Sequence, residues 1–321
     1  MYMIKFKPIL KETIWGGNKI PRLKHMNGFE GTQIGESWEI SGLEGSESTV
    51  DGGEYDGLPL SRLTDIMKEE LVGADNYRRY GNRFPLLVKL IDARQDLSIQ
   101  VHPDDEAARR YGLPNGKSEM WYLLDSEPYA SLRCGMKERL APKDVARKVA
   151  DGTFSDSTAL YDVKAGDCFY IPAGRVHSIG AGCFIAEIQQ ASDTTYRLYD
   201  YNRRDRNGTL RQLHVEKATE CMDYSVRGDY RTHYRLKRNA RVPLVECDYF
   251  KTSLYDIDKA FSLDYSRLDS FVILMCIKGD GTFTDDEGYV ASLHECETLL
   301  VPAATKALRV EGNIRFLETY I

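Results

Sequence analysis

Apolar and polar positions along this chain alternate over short runs, the signature of half-buried β-strands rather than of helices. Phe84-Pro-Leu-Leu-Val-Lys-Leu-Ile91, Leu97-Ser-Ile-Gln-Val-His102, Met120-Trp-Tyr-Leu-Leu124, Asp167-Cys-Phe-Tyr-Ile171 and Phe184-Ile-Ala-Glu-Ile188 are all apolar or alternating segments of strand length. Helical spacing appears in few places. Leu63, Ile66, Met67 and Leu71 recur at i, i+3, i+4 and i+8, which predicts one amphipathic helix over 60–72. Ala141-Pro142 followed by Val145 and Val149 predicts a second, with proline in its first turn and Gly152 past its end. Asp104 and Asp105, just after Pro103, read as N-cap residues of a short helix through Arg110. The expected fold is mainly β with a few inserted helices.

The segment Gly166-Asp-Cys-Phe-Tyr-Ile-Pro172-Ala-Gly174-Arg-Val-His177 reads as a strand, a tight Pro/Gly turn, and a histidine opening the next strand. Its form, G-x5-P-x-G-x2-H, resembles the second half of a cupin metal site. A weaker copy follows: Cys296-Glu-Thr-Leu-Leu-Val-Pro302-Ala-Ala304-Thr-Lys-Ala307 keeps the strand and the proline, with Ala307 at the histidine position. The repeat implies two cupin-type, jelly-roll β-barrels. The expected division is a catalytic, metal-binding unit with helical insertions over 1–235 and a unit without metal ligands over 240–321.

Composition narrows the function. Of 321 residues, 29% are charged and 42% apolar, as in an ordinary water-soluble protein. A net charge of −6 argues against a nucleic-acid partner, which would call for a basic stripe. The basic residues between Arg227 and Arg241 fit a charged connection between the units. Met1-Tyr-Met-Ile-Lys-Phe-Lys-Pro8 has no long apolar run, so no secretory leader is expected, and no stretch suits a membrane span. Seven scattered cysteines without a CxxC pair suit reduced thiols and a cytoplasmic location.

The chemistry gathers on strand faces. Residues two apart share a face, so Gln100 and His102 point the same way, as do Lys117, Glu119 and Trp121. With His177 they offer two imidazoles, a carboxylate and an amide oxygen, a borderline N/O set that suits one Zn²⁺ with positions left for water or substrate oxygens. His25, His214, His233 and His294 have no such context. Lys117 is either a surface lysine or, through its i+2 relation to Glu119, part of the site. Glu187 lies on a strand after His177, and Arg197 follows in a tyrosine-rich segment where pairing with Asp200 at the surface is the alternative.

Taken in order, Ile14-Trp-Gly-Gly17, Gly35-Glu-Ser-Trp-Glu-Ile-Ser41, Leu97-Ser-Ile-Gln-Val-His-Pro-Asp104, Gly116-Lys-Ser-Glu-Met-Trp121, Ile171-Pro-Ala-Gly-Arg-Val-His177 and Glu187-Ile-Gln-Gln-Ala-Ser-Asp193 with Tyr196-Arg197 resemble the type I mannose-6-phosphate isomerases, the short bacterial form in particular. The resemblance covers most of the first two hundred residues. It implies zinc held by Gln100, His102, Glu119 and His177, and a catalytic arginine at Arg197. It further implies proton-transfer or substrate roles for Lys117 and Glu187, and phosphate contacts from Ser98 and Lys89. The substrate would be a small sugar phosphate, and the chain a monomer or weak homodimer with no membrane partner. A metal-dependent dioxygenase, a non-catalytic sugar-binding cupin and an isomerase of another aldose are the rival readings. The glutamine in Gln100-Val-His102, where a dioxygenase usually has histidine, speaks against the first.

Overall fold

The computed structural model describes residues 2–29, 31–204 and 207–321. Antiparallel strands dominate, arranged in two facing sheets and a third that curls on itself, with Phe6–Lys7 and Thr49–Val50 as a separate two-stranded pair. The first sheet runs in the order Cys168–Ile171, Glu119–Ser126, Cys183–Gln190, Leu86–Asp92, Ile34–Leu43, Ile9–Gly17, with Ser46–Glu47 paired to Ile34–Leu43. The second runs Thr158–Asp162, Ser131–Met136, His177–Ile179, Ile99–Val101, Tyr196–Tyr199. Trp121, Leu123, Phe169 and Ile185 of the first sheet meet Leu132, Cys134 and Ile179 of the second in one apolar layer. This is the jelly-roll sandwich of a cupin. The expected barrel differs in one respect: among the described residues the two sheets remain separately hydrogen-bonded and do not close. Ile99–Val101 and His177–Ile179 are three residues each. Pro103 stands two residues past the first, where it has no N–H with which to extend the ladder.

The outer face of the first sheet is buried as well. Val88, Leu90, Met120 and Ile188 pack against Leu60, Leu63 and Met67 and against Leu254, Ile273, Met275 and Leu317 of the third sheet. Leu86–Asp92 is therefore covered on both sides and buried at every position. That is why its sequence is a continuous apolar run rather than an alternation.

The predicted helices form, with one break, and Lys19–Leu23, Ala74–Tyr80 and Val215–Cys221 are helices that the spacing did not predict. The segment over 60–72 splits into Leu60–Met67 and Glu69–Val72 at Lys68, whose φ of 48° ends the first helix. The apolar spacing runs through the break because Leu71 stays in the same core. A further helix, Ala74–Tyr80, starts after Gly73, and the Asp269 carboxylate accepts from the backbone N–H groups of Ala74 and Asp75. At φ 92° a Cβ on Gly73 would stand 2.4 Å from the Asp269 carbonyl oxygen, so this crossing requires glycine. Pro142–Ala150 and Asp105–Arg110 form as expected, the latter capped by the Asp104 carboxylate, which accepts from Ala107 N–H.

The third sheet is built on two 14-residue strands, Val272–Asp285 and Ala307–Tyr320. Each changes partner along its length, so the sheet wraps Leu263, Leu274, Phe283, Leu308 and Phe316 into a core of its own. The chain start joins it: Ile4 and Leu300 exchange backbone hydrogen bonds at 2.8 Å in both directions, and Met3 enters that core. The repeat seen in the sequence has a structural counterpart, since Thr298–Val301 pairs with the start of Val272–Asp285 as Cys168–Ile171 pairs with the start of Glu119–Ser126. The counterpart of His177 shifts, however. Leu308, not Ala307, faces inward, because the chain spends one more residue in this turn.

The basic connection is held down by its own surface: Arg231 pairs with Asp167, Arg238 with Asp258, and Arg241 with Glu318. All seven cysteines are unpaired, and no helix among the described residues is long and apolar enough to cross a membrane.

Candidate metal centre

Strand register assembles the site. His177 lies directly across from Gln100 on one neighbour and from Cys134 on the other, and Glu119 stands between Ile171 and Gln189 in the facing sheet. His102 follows Gln100 by two residues on the same face. The result is a buried triad: His102 Nε2 is 3.4 Å from Glu119 Oε2, and His177 Nε2 is 3.4 Å from Glu119 Oε1. Each imidazole is fixed from behind. Nδ1 of His102 sits 2.7 Å from the Thr194 carbonyl and Nδ1 of His177 2.8 Å from the Arg175 carbonyl. A carbonyl only accepts, so both Nδ1 atoms carry the proton and both Nε2 atoms present a lone pair inward.

Electrostatics agree with that tautomer. Burial, reinforced by Lys117, pushes His102 down to about 3, and burial also pushes His177 down, so both rings are neutral. Burial alone would raise the Glu119 carboxyl, but the Lys117 ammonium at 3.1 Å holds it well below the usual carboxylate range. His102 Nε2 and Glu119 Oε1 have no hydrogen-bond partner among the described residues, and Glu119 Oε2 meets only the Lys117 ammonium. Converging buried acceptors with a single cationic donor among them are costly unless something positive sits between them. The triad fits a first-row divalent cation, and it is the one group of three or more histidine, cysteine or carboxylate side chains among the described residues with ligand atoms within 4.8 Å of one another. Gln100 stands beside it, its Nε2 3.3 Å from His177 Nε2 and its Oε1 accepting from Ser98 Oγ at 3.0 Å. Lending its oxygen to a metal requires the amide to turn over, a rotation that exchanges two nearly isosteric ends.

One cross-strand row forms the adjoining wall. Trp38, Lys89, Glu187 and Trp121 are successive neighbours across four strands of the first sheet. Lys89 Nζ bridges Glu36 at 3.4 Å and Glu187 at 3.3 Å. Trp38 Nε1 donates to Glu36 at 2.6 Å and Trp121 Nε1 to Glu187 at 2.8 Å. Burial would lower the Lys89 ammonium, but Glu36, Glu187 and Glu119 together raise it, so it stays charged. Glu187 is pushed up by burial first and by Glu119 next, against the pull of Lys89 and Lys117. Glu36 goes the other way: despite burial, Lys89 and the Trp38 N–H lower it.

A cavity of about 170 Å³ opens against these groups. Ser98, Gln100, Lys89, Lys117, Glu187 and Arg197 all line it, so the structure gathers every predicted residue either into the triad or around this space. Arg197 is not the surface partner of Asp200. Asp200 is buried and taken by Arg203 and Arg211, while the Arg197 Nε is buried without a hydrogen-bond partner. Sequence reasoning missed three groups here. Glu36 and Trp38 had a usable signal, an i, i+2 pair in Gly35–Ser41, but no chemistry was attached to it. Arg211 had none, since an irregular segment brings it to the cavity. The remaining histidines lie elsewhere: His233 pairs with Asp229 at the surface, and His214 receives the Arg197 backbone N–H at 3.3 Å.

A jelly-roll sandwich holding two tautomerically fixed histidines and a carboxylate beside a charged, tryptophan-lined cavity defines a metal-binding cupin. Family profiles place it further. The phosphomannose isomerase type I catalytic domain matches residues 3–137, and the mannose-6-phosphate isomerase cupin domain matches 241–321. Mannose-6-phosphate isomerase ManA of Bacillus subtilis is 34% identical over 319 residues, covering 98% of each chain. The mannose-6-phosphate isomerase of Streptococcus mutans is 30% identical, covering 97% of this chain and 96% of its own. The crystal structure of the Bacillus subtilis mannose 6-phosphate isomerase superposes with a TM-score of 0.89 at 29% identity, covering both chains fully. The chain belongs to the type I phosphomannose isomerase family.

Proposed function

We propose that this chain interconverts mannose 6-phosphate and fructose 6-phosphate with one bound Zn²⁺, moving a proton between C1 and C2 through a cis-enediol. The observation that carries this reading is the buried triad of His102, Glu119 and His177, its ligand atoms converging beside a cavity bearing Lys117, Glu187 and Arg197. The relatives in Bacillus subtilis and Streptococcus mutans, matched over nearly their whole length, are mannose-6-phosphate isomerases.

Gln100, His102, Glu119 and His177 would hold the ion. When bound, a divalent metal supplies Lewis acidity toward the sugar oxygens where charge develops. Glu187 takes and returns the carbon-bound proton: burial raises its carboxyl toward the range useful to a base, and the Trp121 N–H fixes its orientation. Arg197, with an unpartnered N–H, adds positive charge at the oxyanion. Lys117 keeps Glu119 ionised and can donate to a substrate oxygen. Ser98 and Lys89 line the same space but are engaged, Ser98 on Gln100 and Lys89 on two carboxylates. Each reaches a substrate phosphate only by changing partner, and until then each positions its neighbour.

Residues 1–235 form the catalytic unit in this reading and 240–321 a unit without metal ligands. The chain works as a monomer or weak homodimer in the cytoplasm, a setting that suits seven unpaired cysteines. The test is a coupled assay for fructose 6-phosphate formed from mannose 6-phosphate, before and after chelation and with zinc restored. Turnover abolished by chelator and recovered with zinc is expected. A stoichiometrically metal-loaded protein without turnover would refute the reaction.

A further inference from the structure

The third sheet repeats the register of the catalytic sandwich, and this lets each catalytic position be located in it. Trp121 pairs with Phe169 on one side and Glu187 on the other; Leu274 pairs with Leu299 and Glu318. Phe169 and Leu299 each stand three residues before the turn proline. Glu318 is therefore the counterpart of Glu187, Ser253 that of Lys89, and Val272 that of Glu119. Counting back ten residues from each glutamate, Leu308 takes the place of His177. Its cross-strand partner Leu263 takes that of Gln100, and Tyr265 that of His102. The metal-ligand positions have become apolar or phenolic, yet the carboxylate has stayed.

That carboxylate is 2% exposed and is not merely left over. Tyr265 Oη, standing where an imidazole stands in the first unit, donates to Glu318 Oε1 at 2.8 Å. Tyr255 Oη donates to Oε2 at 3.4 Å, and Arg241 Nε lies 3.7 Å from the same oxygen. Arg241 is itself held by Ser253 Oγ and Tyr320 Oη, both at 2.9 Å. In front of this group is a cavity of about 410 Å³, whose wall includes Tyr255, Phe261, Tyr265 and Tyr320. A space of that size is within the usual range for a small-molecule site.

We propose that this cavity binds an uncharged hexose without a metal, as a second sugar site apart from the catalytic one. Phe261 and Tyr320, the two half-buried rings of the wall, offer aromatic surface to the apolar C–H face of a pyranose. A carboxylate accepts sugar hydroxyls, and two hydrogen bonds leave half of its acceptor capacity open. Arg241 adds a donor. The wall carries Glu318 and Asp264 against Arg241 and Arg267, so it has no net charge, and an anion entering it would meet the Glu318 carboxylate. A neutral polyol fits this balance better than a phosphate does.

The test is methyl NMR on the full chain titrated with D-mannose and D-glucose. Leu263 and Leu268 report the proposed cavity, and Leu97, Ile91 and Ile179 the catalytic one. Saturable movement of Leu263 and Leu268, with a dissociation constant in roughly the millimolar range, is expected and should survive both chelation and His177→Ala. Glu318→Gln should weaken it by about tenfold or more, the scale of losing a charge-assisted hydrogen bond. Phe261→Ala, at a half-buried position, should weaken it without touching the carboxylate. Silence at Leu263 and Leu268 while Leu97 moves would overturn the proposal. So would an unchanged response in Glu318→Gln, or a response to inorganic phosphate in place of sugar.

Discussion

Lys89→Met removes a charge from the middle of the catalytic sheet while nearly preserving volume. Lys89 is 5% exposed, with Nζ 3.4 Å from Glu36 and 3.3 Å from Glu187. At an effective dielectric of about 20 each contact is worth roughly 5 kcal/mol before desolvation. Measured losses on breaking buried pairs are about 3–5 kcal/mol, because the partner is left charged and unpaired. We expect a penalty of that size with a distinctive pH dependence. In the native chain Lys89 helps hold Glu36 down and counters the upward push on Glu187. Without it Glu187 rises further above the unfolded value of about 4.3, and Glu36 loses its largest downward pull, so both folded-state carboxyls shift upward. The folded variant then binds protons that the unfolded chain has lost. Its stability therefore falls as pH rises through the folded pKa values, by about 1.4 kcal/mol for each unit of upward shift. Urea unfolding of chelator-treated protein, followed by tryptophan emission, reads this directly, since Trp15, Trp38 and Trp121 all line the catalytic cavity. The penalty should be larger at about pH 8 than at about pH 5.5. A loss below about 1 kcal/mol at the higher pH, or equal losses at both, would refute the buried-bridge reasoning.

Four further outcomes follow from the same geometry. His102→Ala or His177→Ala should lose both bound metal and turnover, checked by elemental analysis and the coupled assay. Arg197→Ala should lower kcat by about 100-fold or more with metal content intact, the scale of removing one oxyanion donor. Glu187→Gln should abolish exchange of the substrate C2 hydrogen with solvent deuterium while metal content stays unchanged. Asp104→Ala should cost about 1 kcal/mol in urea unfolding through loss of the cap on Asp105–Arg110, with kcat little changed.

Much of the candidate site is legible in the sequence because its signals are local. A period of two places Gln100 with His102 and Lys117 with Glu119. The Pro172–Gly174 turn announces His177, and the order of the motifs points to the isomerase family. Strand and helix positions follow from the same short-range patterns, as does the cap at Asp104. What those patterns lack is any statement of which strand lies beside which. Trp38, Lys89, Glu187 and Trp121 form one row only because four strands, far apart in the chain, pair in a particular register. The Lys89 bridge to Glu36 and Glu187 is invisible until they do. Asp200 likewise takes Arg203 and Arg211 rather than Arg197 because of where a loop returns, and Leu308 replaces Ala307 as the inward residue because one turn is longer. Whether the sheets close is also settled at this level, by which strands share a ladder. The sequence by itself determined which side chains are equipped for metal and proton chemistry, since composition and period are properties of neighbours along the chain. Only the tertiary structure decided their partners and charge states, since burial and electrostatic coupling act through space between residues that the chain keeps far apart.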